Sequence, residues 1–176
     1  VVNDFPRLID DILRVLPETR RVFVVVGSGD IGRFWRQELE TGFARFQGRV
    51  TFVWSDEMSL ADILHRVASL PAHSAIVFLT FSIDAQGGAY ADQQVLNEIH
   101  SRSNAPLFGA FSPWFGHGIV GGSMMSLGDL ARSTADVAAR ILDGESPASL
   151  RVAPQIAGQP MFDGRELRRW GIPESR

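Results

Sequence analysis

The chain contains no cysteine, and all 17 of its basic residues are arginine, so lysine is absent too. Without thiols there is no cysteine nucleophile, zinc finger or iron–sulfur ligation, although either redox compartment suits such a chain. Without lysine there is no P-loop lysine, Schiff-base amine or lysine general base. Charge is sparse as well: the net value is −3 and charged residues make up 21%. That excludes a polybasic nucleic-acid surface and a disordered acidic tail. No apolar run approaches the ~18 residues of a membrane span, and no leader pattern opens the chain. Internal repeats and low-complexity tracts are also missing. What is present is 45% hydrophobic residues over 176 positions. This is one domain's worth of material, able to bury roughly 70% of its unfolded surface without a staple. The start at Val1-Val2-Asn3-Asp4 and the end at Glu174-Ser175-Arg176 read as the limits of a piece of a longer protein.

The pattern along the chain is regular up to about residue 111. Asp4 is placed to cap a helix with Pro6 in its first turn and Leu8, Ile9, Ile12, Leu13 and Leu16 at helical spacing. Arg21 to Val26 is an apolar run typical of a strand covered on both faces. A glycine turn over residues 27–32 leads to a helix whose Phe34, Trp35, Leu39, Phe43 and Phe46 form an apolar stripe. Val50 to Trp54, Ala75 to Phe81 and Pro106 to Phe111 read as further strands, separated by helices capped at Ser59 and spanning Tyr90 to Arg102. This alternation predicts an α/β fold, a Rossmann-like three-layer lobe with a mainly parallel sheet and right-handed crossovers. Beyond it come a loop at 112–118, a short strand at Ile119 to Gly122, and a long helix capped by Ser126 and ended by Gly144. A proline-punctuated connection with an edge strand near Val152 and a last helix capped by Asp163 complete the chain. The expected division is a lobe over 1–122 and a return helix with C-terminal extension over 123–176.

Gly27-Ser28-Gly29-Asp30-Ile31-Gly32 satisfies G-x-G-x-x-G after a strand, and Asp56 follows the next strand where a ribose ligand would sit. Such glycines let a pyrophosphate approach the amides at a helix start. Any strand-to-helix turn also favours small residues, and a full dinucleotide fold needs a second half that four strands do not supply. His65, His73, His100 and His117 show no i, i+4 pairing and no H-E-x-x-H, which argues against zinc. No G-x-S-x-G elbow is present.

Ligands in open α/β sheets sit at the carboxyl ends of the strands. The alternation places Ser28 and Asp30 after the first strand, Ser55 and Asp56 after the second, Thr80, Ser82 and Asp84 after the third, and Ser112, Trp114 and Phe115 after the fourth. Hydroxyls, carboxylates and large aromatics together suit a small-molecule cleft with stacking faces and a few orienting groups. Polar strand ends are common to all such folds, and the aromatics could equally plug a gap in the core.

The order of pieces resembles a known family. Residues 16–21 before the first strand, Ala75 to Thr80, and Ala105 to Gly109 resemble the second lobe of type I periplasmic binding proteins. Gly116 to Ser123 and the helix ending in residues 140–147 look like that fold's return crossover and long helix. More narrowly, with the tail Phe162 to Ile172, the chain resembles the sensor region ahead of the kinase in bacterial membrane sensor histidine kinases. That region is related to ABC-transporter solute-binding proteins. The resemblance implies an extracytoplasmic lobe of a membrane-anchored protein that binds a small molecule; with acidic groups near the strand ends and only Arg33 close by, a neutral or aromatic metabolite fits better than a strongly anionic one. It implies no catalytic residue in this segment, no metal, no cofactor and no nucleic acid. It also implies that the Ser126 to Asp143 helix packs on a first lobe absent here, so that its apolar stripe is covered by the remaining domain, a second copy of the chain, or a rearranged packing. A solute-binding component of a transporter and a Rossmann enzyme fragment are the alternatives.

Overall fold

Strand parity organises the two cores. The structure is a computed structural model that describes residues 5–150 and 160–174. Helix α1 (Phe5–Val15) leads into β1 (Arg21–Val26), followed by α2 (Asp30–Phe43), β2 (Thr51–Trp54), α3 (Leu60–Val67), β3 (Ser74–Thr80), α4 (Asp92–Arg102) and β4 (Leu107–Gly109). Because successive side chains of a strand point to opposite faces, Val22 and Val24 of β1 enter one core with Ala75, Val77 and Leu79 of β3. Phe23 and Val25 enter the other with Ile76 and Phe78. Residues of α1 and α2 close the first core and those of α3 and α4 the second. The continuous apolar runs of β1 and β3 therefore mark strands buried on both sides.

All pairings in the four-stranded sheet are parallel, in the order β2-β1-β3-β4. The chain steps outward from β1 to β2, then returns past β1 to lay down β3. Strand order reverses between β1 and β3, which places the topological switch point at their carboxyl ends. The α/β expectation holds.

Among the described residues, no fifth parallel strand joins the sheet after β4. The amide of Met125 donates to Ala110 O at 2.9 Å and that of Ser112 to Met125 O at 2.9 Å, binding the two segments together beyond the sheet. The short strand expected at Ile119 to Gly122 is reduced to β5 (Gly121–Gly122), antiparallel to β6 (Met161–Phe162). Both glycines have positive φ, and a Cβ on Gly121 would collide with Met161 O. The close approach of the returning chain requires glycine there. Helix α6 (Gly164–Arg169), with the Asp163 carboxylate accepting from Arg165 N at its start, then buries Leu167, and Ile172 follows it into the α1 core. The C-terminal extension thus packs back on the lobe itself.

Helix α5 (Leu127–Leu142) forms as the sequence predicts, with the Ser126 hydroxyl accepting from Asp129 N at 3.2 Å and Gly144 at φ 95° beyond its end. Its apolar stripe is not covered by the other described residues: none of its residues is buried, and Leu142 is 86% exposed. Of the three coverings expected from sequence, burial by the rest of the described chain is not realised. The Asp4 cap and the edge strand near Val152 lie outside the described residues.

A candidate ligand-binding cleft at the carboxyl ends of the strands

The turn after β1 is built by close packing. A Cβ on Gly32 would overlap Gly27 O, and one on Gly27 would lie 2.8 Å from Ile83 O, whereas Gly29 has no atom nearer than the Ile83 Cδ1 at 3.8 Å. Two amides of the turn are already engaged: Gly27 N donates to Thr80 O at 3.0 Å and Ser28 N to Ile83 O at 2.9 Å. The loop after β3 therefore seats itself on the glycine turn. Asp56, the would-be ribose ligand, accepts from Arg36 at 2.6 Å, and that guanidinium also lies 4.6 Å from the centre of the Trp54 ring. Packing accounts for Gly27 and Gly32, and the dinucleotide pattern gains no support from the geometry.

Several of the strand-end polar residues hold the fold together. The buried Ser55 hydroxyl both accepts from Val26 N and donates to Val26 O, each at 2.9 Å, clasping the ends of β1 and β2. The Ser28 hydroxyl donates to Asp56 O. Asp84 is buried and accepts from Leu60 N at 3.1 Å, Gln86 N at 3.0 Å, Gly88 N at 2.8 Å and the Tyr90 hydroxyl at 3.2 Å. The Leu60 amide, opposed by burial and helped by the other donors, holds the Asp84 carboxyl below the usual carboxylate range. Burial, and then the Asp84 charge, push the Tyr90 phenol up. Asp30 is exposed and paired with Arg33. Ser82 is exposed, Ser112 is half-buried at the start of a 3-10 turn, and Phe115 packs against the α3–α4 core.

Thr80 and Trp114 are the predicted residues that the structure brings together, in a cleft of about 670 Å³ beside the switch point. Its walls are Ile31, Phe34, Trp35 and Glu38 from α2, Leu79 and Thr80 from β3, Asp92 from α4, Phe111 and Trp114 after β4, and Met125, Leu127 and Leu130 at the start of α5. The Trp114 indole N–H donates to Leu79 O at 3.0 Å, and its ring stands edge-on to Phe78 at 5.5 Å. Trp35 meets Phe34 at 5.0 Å and Phe111 at 5.6 Å, both edge-on. Asp92 accepts from Thr80 Oγ1 at 3.1 Å and from Phe81 N, fixing its carboxylate at the mouth of β3. Phe34, which the sequence pattern groups with the core stripe of α2, is 55% exposed. The missed signal is a second series on the same helix: Ile31, Phe34 and Glu38 recur at spacings of three and four beside the half-buried Trp35 and the buried Leu39 and Phe43.

A second hollow of about 640 Å³ opens at the amino ends of the strands, lined by Pro17, Pro71, His73, Pro106 and Trp170 among others. Volume does not separate the two. Position and chemistry do, because the carboxyl-end cleft lies at the switch point and combines aromatic walls with a few aimed polar groups. Among the described residues no three histidine, aspartate or glutamate side chains converge as metal ligands, and no helix is long and apolar enough to cross a membrane.

No protein-family model and no curated protein sequence matches the chain. Solved structures do. The ABC domain in complex with L-Trp from Streptococcus pneumoniae superposes with a TM-score of 0.68 at 16% identity, covering 98% of this chain and 59% of that one. The ligand-free, open form of a substrate binding protein with adhesive properties from Clostridium difficile gives 0.64 at 15% identity, covering 93% and 54%. This is the fold of a substrate-binding-protein lobe. A conserved domain protein from Vibrio cholerae gives 0.63 at 22% identity, again covering 93% of this chain and 54% of the other. The lobe thus spans 54–59% of the length of these structures.

Proposed function

We propose that the chain is the ligand-recognition lobe of a two-lobed extracytoplasmic receptor that closes on a small aromatic molecule. The observation that carries this is the aromatic-walled cleft at the switch point, of a size that suits a small ligand. Trp114, Trp35 and Phe34 supply flat faces, and Thr80 with Asp92 supplies orienting polar atoms. The ligand acts by binding the closed form better than the open one, and that difference in affinity sets the population shift. The L-Trp complex of the pneumococcal neighbour supports an aromatic ligand class. Helix α5 begins on the cleft wall and runs outward uncovered, so it is the element placed to meet the second lobe or a second copy of the chain. Isothermal titration with indole compounds tests the reading: saturable binding that Trp114→Ala abolishes supports it, and no binding by any of them contradicts it.

In its finer form the receptor is the sensing region of a membrane-anchored histidine kinase, as the tail resemblance implies. The solute-binding component of a transporter is the second reading, favoured by the substrate binding protein among the structural neighbours. The continuation of the coding sequence separates them. A phosphoacceptor histidine and ATP-binding blocks downstream support the sensor, and an adjacent permease gene with no kinase supports the transporter.

A further inference from the structure

The charge balance of the cleft points to a more specific ligand than its shape does. Helices α2, α4 and α5 begin at the cleft wall, and positive helix ends favour anions. Each is answered by a carboxylate in its own first turn: Asp30, Asp92 and Asp129. Glu38 is then a surplus negative charge. It stands further along α2 on the cleft wall and has no hydrogen-bond or ion-pair partner among the described residues. Among the described residues the cleft lining includes no arginine, and the chain has no lysine. The nearby Arg33 is committed to Asp30 and to Ser28 O at 2.9 Å, and Arg36 to Glu40 and Asp56.

We propose that the cleft recognises an organic monocation, an ammonium group carried on an aromatic body. This rests on the cleft being the ligand site, as argued above. The ammonium group is held by Glu38 and by the free lone pairs of the Asp92 carboxylate, while its aromatic body lies against Phe34 and Trp35. A cation near an aromatic face is itself favoured, and more so when water is excluded. A carboxylate of the same size meets the surplus negative charge of Glu38 and, among the described residues of the lining, no cation.

Tryptamine and indole-3-propionate, of similar length and opposite charge, form the test, with L-Trp as the zwitterion between them. Calorimetric titration of the wild-type chain is expected to rank them tryptamine, L-Trp, indole-3-propionate, with about a tenfold or larger gap between the first and last. Glu38→Gln, on an exposed position, and Asp92→Asn are each expected to weaken tryptamine and narrow that gap, with circular dichroism confirming that both variants fold. Equal affinity for the two charged probes, or a preference for the propionate, overturns the charge assignment and leaves the cleft reading standing. A tryptamine preference that neither variant changes overturns the assignment to these carboxylates. Binding of none of the three overturns both the assignment and the cleft reading.

Discussion

Ser55 and Phe34 show how differently two residues near the same sheet edge are used. The single hydroxyl of Ser55 serves both backbone groups of Val26 in a fully buried setting. Ser55→Ala leaves those groups without that partner and is expected to cost about 1–3 kcal/mol in urea unfolding. Phe34→Ala, at a half-open position, is expected to change stability by no more than about 0.5 kcal/mol while lowering indole affinity about tenfold. Asp84 gives a pH signature. Its carboxyl is held below the usual range in the fold, so the unfolded chain takes up the proton more readily. The stability it contributes is therefore present above about pH 4 and is lost as pH falls through the folded value. Asp84→Asn is expected to flatten the acid-side fall of the melting temperature relative to wild type. The alternation places Ser55, Asp84 and Thr80 alike at strand ends, as candidates for one cleft, and does not tell them apart. Whether such a residue faces a cleft or clasps a neighbouring strand depends on the path of the loop after β3, which folds onto the glycine turn through contacts far apart in sequence.

Among the elements, β1 and β3 were legible because a strand buried on both faces must be apolar throughout. The helix starts at Ser59, Ser126 and Asp163 were legible because capping is a local interaction, and all three side chains accept the expected amide. The glycine turn was legible as a turn but ambiguous in purpose, and the geometry separates its members. Gly32→Ala forces α2 away from the end of β1 and is expected to cost about 3 kcal/mol or more. Gly29→Ala meets no atom nearer than 3.8 Å and is expected to leave stability within about 0.5 kcal/mol of wild type. Denaturation of the two variants checks both. The face of α2 that looks into the cleft was hidden because Phe34 adjoins the half-buried Trp35, which packs on the core, so the two series merge in the linear pattern. Helix α5 was legible as a helix and its covering was not, since a stripe of Leu, Ala and Val states a need for burial without naming the partner. With no buried residue, its amides are expected to exchange hydrogen well before those of β3.

At the scale of the molecule, reversal of strand order between β1 and β3 creates the crevice, and the chain beyond β4 returns to wall it with Phe111, Trp114 and the start of α5. The four tryptophans are distributed so that the location of binding can be read directly. Trp35 and Trp114 line the carboxyl-end cleft, Trp170 lines the hollow at the amino ends, and Trp54 lies with Phe43 and Phe52 at the outer strand β2. Titration of tryptamine into the ¹⁵N-labelled chain, following the four indole N–H resonances, is the most direct test of the central claim. Saturable shifts of Trp35 and Trp114 with Trp54 and Trp170 unmoved are the predicted result, and shifts of Trp170 alone, or of none of the four with tryptamine, L-Trp or indole-3-propionate, would contradict it.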